Sequence, residues 1–76
     1  MKNKIRYHAP YTKLKGALRE KGLTYSDISQ LLHISETAVS HKINGYSDFF
    51  IREVNTIEDE YNISYQIFLN EELRFW

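Results

Sequence analysis

The sequence predicts an all-α fold, a compact single domain of five short helices. Three observations predict it. No segment alternates apolar and polar residues with period two, whereas apolar residues recur at helical spacing along most of the chain. Helix start and stop signals are dense, running from Pro10 through Gly22-Leu23-Thr24, Ser35 and Asn44-Gly45 to Asn62 and Ser64. Finally, 76 residues with 42% apolar content suit one core, and one Trp, six Tyr and four Phe fill it generously. A domain of this size buries only roughly 60% of its unfolded surface, so it is marginal and can lean on a partner.

Residues 1–10 read as a basic N-terminal arm. The first helix begins at Tyr11 or Thr12, just after Pro10, and ends at Lys21. Its apolar stripe is Tyr11, Leu14, Ala17 and Leu18. Gly22 takes the left-handed position after it, and Leu23 packs back on Leu18 as in a Schellman ending.

Thr24 caps the second helix, with Asp27 completing a capping box and Leu23 and Ile28 forming a hydrophobic staple. Ile28, Leu31 and Leu32 are its buried face. The third helix starts at once: Ser35 is its N-cap, Ile34 and Val39 its staple, and Asn44-Gly45 its end. Two short helices joined by His33-Ile34-Ser35 must cross steeply, which is the helix-turn-helix arrangement. At 100° per residue, Glu36, Thr37, Ser40, His41 and Asn44 share one polar arc of the third helix. Ala38, Val39 and Ile43 lie opposite, with Lys42 at their edge.

A fourth helix, capped by Ser47 or Asp48, carries Phe50, Val54, Ile57 and Tyr61 inward and Arg52, Glu53, Glu58, Asp59 and Glu60 outward. Asn62 ends it, and Ser64 caps a short fifth helix containing Tyr65, Ile67, Phe68 and Leu69. The tail, residues 70–76, is too apolar for an ordinary frayed terminus.

Several function classes drop out. No Cys means no disulfide framework, thiolate zinc site or cysteine nucleophile. No apolar run approaches the roughly 18 residues of a transmembrane helix. No apolar stretch follows the basic Met1-Lys2-Asn3-Lys4-Ile5-Arg6 to make a signal peptide. The expectation is a soluble cytoplasmic module with no membrane partner. His8, His33 and His41 lack metal-ligand spacing, and Glu58-Asp59-Glu60 spreads around a helix instead of converging. Nothing organises a nucleophile, a base and an orienting group, so no enzyme, metal, cofactor or small-molecule substrate is expected.

The total charge of zero hides an asymmetry. Residues 1–46 hold eight basic and three acidic side chains, a net of +5, and residues 47–76 hold two and seven, a net of −5. Segregated charge suits a chain with one half facing a polyanion, although short chains also segregate charge by chance. The third helix fits the same partner. Its outer side chains, Glu36, Thr37, Ser40 and His41, are short enough to enter the roughly 12 Å major groove of DNA, and Thr37 can touch a thymine methyl. Lys13 and Lys15 would bind phosphates, which fix register without reading sequence. An ordinary solvated helix face is the alternative for this set.

From Gly22-Leu23-Thr24-Tyr25-Ser26-Asp27-Ile28-Ser29 through Ser35-Glu36-Thr37-Ala38-Val39 to Asn44-Gly45, the chain resembles the helix-turn-helix of phage Cro and repressor proteins, the lambda-repressor-like family. The likeness covers about residues 11–69 and is strongest to short Cro-like regulators of phages of Gram-positive bacteria. It implies a DNA-binding transcriptional regulator that recognises double-stranded operator DNA as a homodimer, inside a bacterial cell and on the nucleoid when bound. It implies that the recognition helix starts at Ser35, Glu36 and Thr37, with deeper base reading by Ser40 and His41. Asn44, with Gly45 beside it, falls on the family's phosphate contact, and Lys42 joins that set. Tyr25 stands where the family usually has a DNA-contacting Gln; its hydroxyl can reach a phosphate, but the base contact is lost. Ser29 matches the small residue of the second helix, whereas His33 replaces the turn Gly and must take a left-handed conformation or end the helix otherwise. Glu36 has two readings: favoured by the dipole at a helix start, or accepting from cytosine N4.

With no second domain, dimerisation is expected from Leu73, Phe75 and Trp76, with Phe68 in support; the alternative is that the tail folds back on its own core. Two other functions remain open. One is an antitoxin-like or mobile-element regulator of the same fold. The other is an anti-repressor that kept the fold and binds protein instead of DNA.

Overall fold

The computed structural model describes residues 6–68. Among them there are four α-helices and no strand: α1 (Thr12–Lys21), α2 (Tyr25–Leu32), α3 (Glu36–Asn44) and α4 (Ile51–Tyr61), followed by one 3₁₀ turn, Tyr65–Phe68. The fold is all-helical, and the fifth helix expected from the sequence is this single turn. Ser64 begins it as anticipated, its carbonyl accepting from Ile67 N–H at 3.0 Å and its hydroxyl from Gln66 N–H at 3.2 Å. No described helix is long and apolar enough to cross a membrane.

The punctuation determines where each helix stops. Gly22 is left-handed (φ 70°), and Leu23 N–H donates to Leu18 O at 2.8 Å, which closes α1 as a Schellman ending. The Thr24 hydroxyl accepts from Asp27 N–H at 3.3 Å while the Asp27 carboxylate accepts from Thr24 N–H at 2.7 Å, so both halves of the α2 capping box are made. His33 ends α2 in the left-handed conformation (φ 59°), and Ser35 caps α3 by accepting from Ala38 N–H at 3.0 Å. Asn62 (φ 57°) ends α4.

The start of α4 departs from expectation. Its N-cap is Phe50, not Ser47 or Asp48. The Asp48 carboxylate is engaged elsewhere, accepting from the Tyr11 phenol at 2.5 Å and from Phe49 N–H at 2.8 Å. Glu53 reaches back to Phe50 N–H at 2.9 Å, which supplies the missing cap from inside the helix.

Tyr11, Leu14, Leu18, Ile28, Val39, Ile43, Ile57, Ile63 and Phe68 form one core. α2 packs against both α3 and α4, and the 3₁₀ turn packs against α1 and α4. Phe68, expected to support a dimer, is instead an internal side chain, 6% exposed. Its ring meets those of Tyr11 and Phe49 edge-on, at 5.6 and 5.3 Å between centroids. An aromatic ring enclosed in this way contributes its burial to the chain's own stability and leaves little surface for a second copy. Leu73, Phe75 and Trp76 lie outside the described residues.

Candidate nucleic-acid interface

The turn between α2 and α3 sets how α3 is displayed. Left-handed His33 reverses the chain, and Ile34 N–H donates to Ser29 O at 3.0 Å. Ser29 is buried, its hydroxyl donating to Ser26 O at 2.8 Å, so the small residue lies where a larger one would push the helices apart. Val39 and Ile43, both fully buried, pin the opposite face of α3 to the core. Rotation of α3 is thereby fixed, and Ser35, Glu36 and Thr37 are left exposed at its start.

Farther along α3 the polar arc becomes part of a network. The Asn44 side-chain amide donates to Ser40 O at 2.9 Å and to the Ser40 hydroxyl at 3.3 Å. Lys15 Nζ donates to Asn44 Oδ1 at 2.7 Å, which ties α1 to the end of α3. Lys15, Ser40 and Asn44 are therefore brought together, but Asn44 is half-buried and its amide is committed within the molecule. Ser40 and His41 are half-covered, and the His41 ring meets Tyr46 edge-on at 5.9 Å.

Two residues expected on phosphate are turned inward. Lys42 is buried, and its Nζ donates to Asp48 O and to Glu53 Oε1, both at 3.1 Å. The ammonium also lies 4.6 Å from the centroid of the Phe50 ring. The wheel had put Lys42 at the edge of the apolar arc; the carboxylate eleven residues on, invisible to that wheel, draws it under. Gly45 is buried beneath the arm: its N–H closes α3 on His41 O and its carbonyl accepts from Tyr7 N–H at 2.6 Å. Its amide is thus already used.

The other basic and hydroxyl groups stay at the surface. Lys13 is exposed on α1. Lys15 and half-buried Tyr25 line one open depression of about 310 Å³ with Leu18, Arg19, Leu23 and Thr24, where the end of α1 meets the start of α2. Arg19 adds a cation to that set which the helical periodicity did not single out. Arg6 and Tyr46 were also missed. The Arg6 guanidinium lies 5.0 Å above the centre of the Tyr46 ring, which in turn contacts His41. Contacts across forty positions leave no local sequence signal, although an aromatic directly after Gly45 was a hint.

Among the described residues, the most strongly displaced titration lies beneath this surface. Burial, the hydrogen bond to Asp48 and the charge of that carboxylate push the Tyr11 phenol well above its ordinary range. The phenol therefore stays a donor at any physiological pH. Against known proteins, the chain matches no family model, no curated protein and no solved structure.

Proposed function

We propose that this chain is a sequence-specific double-stranded DNA-binding regulator, a Cro-type repressor of the lambda-repressor-like kind that carries out no catalysis and acts in the bacterial cytoplasm. The observation that carries the reading is α3 itself. It is a capped helix held by a left-handed turn, with Val39 and Ile43 locked inward and Glu36 and Thr37 exposed at its start. Such a helix can enter the major groove with its N-terminal residues against base edges. Thr37 and Ser40 read bases, with His41 at the groove edge. Glu36 contributes first as a helix-start charge. Lys13, Lys15, Tyr25 and Ser35 meet phosphates, joined by Arg6 and Arg19.

The described part measures 31 × 29 × 22 Å, and half-sites of such operators lie about 34 Å apart, so two copies are needed to fill a two-fold operator. Counterion release gives the test. Four cations on phosphate (Arg6, Lys13, Lys15 and Arg19) imply a salt slope of about −3.6 per protomer, roughly a hundredfold loss of affinity between 50 and 200 mM salt. Fluorescence anisotropy with duplex DNA should show that fall.

A second reading draws on the internal commitment of Lys42, Asn44 and Gly45, which leaves fewer groups for phosphate. On that reading the same face binds a protein, as in an anti-repressor. Absent binding, or affinity flat with salt, would favour it.

A further inference from the structure

The arm, residues 6–10, crosses the C-terminal end of α3 and is held there at both ends. Tyr7 N–H donates to Gly45 O at 2.6 Å, and Tyr11 N–H donates to Ile43 O at 2.9 Å. Between these points lies His8, whose side chain is only 4% exposed and whose ring stacks on Tyr11 at 4.2 Å.

Both ring nitrogens of His8 face acceptors. Nδ1 is 2.7 Å from Ala9 O and Nε2 is 2.8 Å from Ser47 O. A backbone carbonyl can only accept, and a neutral imidazole carries one N–H. In either neutral tautomer the other nitrogen would aim its lone pair at a carbonyl oxygen. Only the imidazolium donates at both positions.

The surrounding charges agree. The Asp48 carboxylate lies 3.5 Å from Nε2 and also accepts from the Tyr11 phenol and Phe49 N–H. Lys42 donates to Asp48 O but has its charge offset by Glu53 at 3.1 Å. Arg6, on the arm itself, is turned onto Tyr46.

We propose that His8 is a proton-operated latch: as imidazolium it clamps the arm onto the end of α3, and on losing its proton it releases the arm. Histidine is the side chain whose ordinary charge change falls between pH 5 and 8. Release would uncover Gly45 and lift Arg6 away from Tyr46. The latch is a property of the free protein and does not depend on the DNA reading.

The test uses the wild-type chain without DNA. Ring-nitrogen NMR of His8 and amide exchange of Tyr7 are followed together from about pH 5.5 to 8.5, spanning the range of histidine titration. At the acid end both ring nitrogens should be in the N–H form and Tyr7 protected. As the ring loses its proton, Tyr7 exchange should accelerate about tenfold beyond its intrinsic pH dependence, the loss of one charge-assisted hydrogen bond. Both signals should follow one curve while α2 and α3 amides stay protected. His8→Gln, which cannot donate at both ends, should leave Tyr7 exchanging fast at every pH. Asp48→Asn should narrow the pH range over which the arm stays docked. A protected Tyr7 beside a ring carrying a single N–H, or equal protection across the range, would overturn the proposal. Full protection in His8→Gln would do so as well.

Discussion

Replacing the three glycines one at a time by alanine separates backbone strain from the docking of the arm. Gly16 lies inside α1, and a methyl group there meets nothing within 4 Å. Gly16→Ala should therefore stabilise the fold by about 0.5–1 kcal/mol through helix propensity. Gly22 (φ 70°) also has open space around a new methyl, so Gly22→Ala carries strain alone, about 1–2 kcal/mol. Gly45 (φ 100°) has the same strain, but its methyl would overlap the His8 carbonyl oxygen and come within 3.2 Å of the His8 carbonyl carbon. That obstacle is backbone and cannot rotate aside. Relieving it detaches Tyr7 N–H from Gly45 O and pulls His8 from Ser47 O, which adds about 2 kcal/mol. The expected total for Gly45→Ala is about 3–4 kcal/mol, a large share of the roughly 4–11 kcal/mol available to a chain of 76 residues. Urea unfolding followed by helical circular dichroism gives the three values. Thermal midpoints should spread by about 4–8 °C per kcal/mol. Equal costs at Gly22 and Gly45, with the Tyr7 amide still protected in Gly45→Ala, would refute the docked arm.

The remaining expectations concern the buried polar groups and the α3 surface. Tyr11→Phe removes a hydrogen bond to a carboxylate and should cost about 1.5–3 kcal/mol at pH 7. The phenol's folded pKa is raised, so its contribution is complete below about pH 10 and is lost as pH climbs above that value. The gap between wild type and Tyr11→Phe in urea titrations should narrow there, by up to about 1.4 kcal/mol per pH unit; a constant gap would contradict the assignment. Lys42→Met strands the Glu53 carboxylate and should cost about 3 kcal/mol in the same assay, yet leave the salt slope of DNA binding unchanged. Lys13→Ala should instead lower that slope by about one and weaken all DNA alike, whereas Thr37→Ala should relax preference among sequences, both read by anisotropy.

What the sequence makes legible here is local. Thr24 with Asp27, Ser35 with Ala38, and Gly22 with Leu23 are pairings within five residues, and each is made as the spacing predicts. His33, where the sequence left two endings open, takes the left-handed one (φ 59°) between the two closely spaced caps. The departures all come from distant partners. Asp48 is the better cap on local grounds, but Tyr11, 37 positions earlier, claims its carboxylate. Lys42 is drawn inward by Glu53, and His8 is fixed by Ser47 across 39 positions. The division of charge at residue 46 is also softened in space. Lys42 of the basic half neutralises Glu53 of the acidic half, and His8 approaches Asp48. The cations left exposed on the arm and α1 are Arg6, Lys13, Arg19 and Lys21, with Arg52 exposed on α4 and Lys15 half-buried against Asn44.

Selection of bound duplexes from a random DNA pool tests the central claim most directly. The account predicts a two-fold symmetric motif with half-sites about 34 Å apart, one helical turn, and a changed motif when Thr37→Ala or Ser40→Ala is selected in parallel. A wild-type chain that enriches no sequence, or variants that enrich the unchanged motif, would contradict the placement of α3 in the groove.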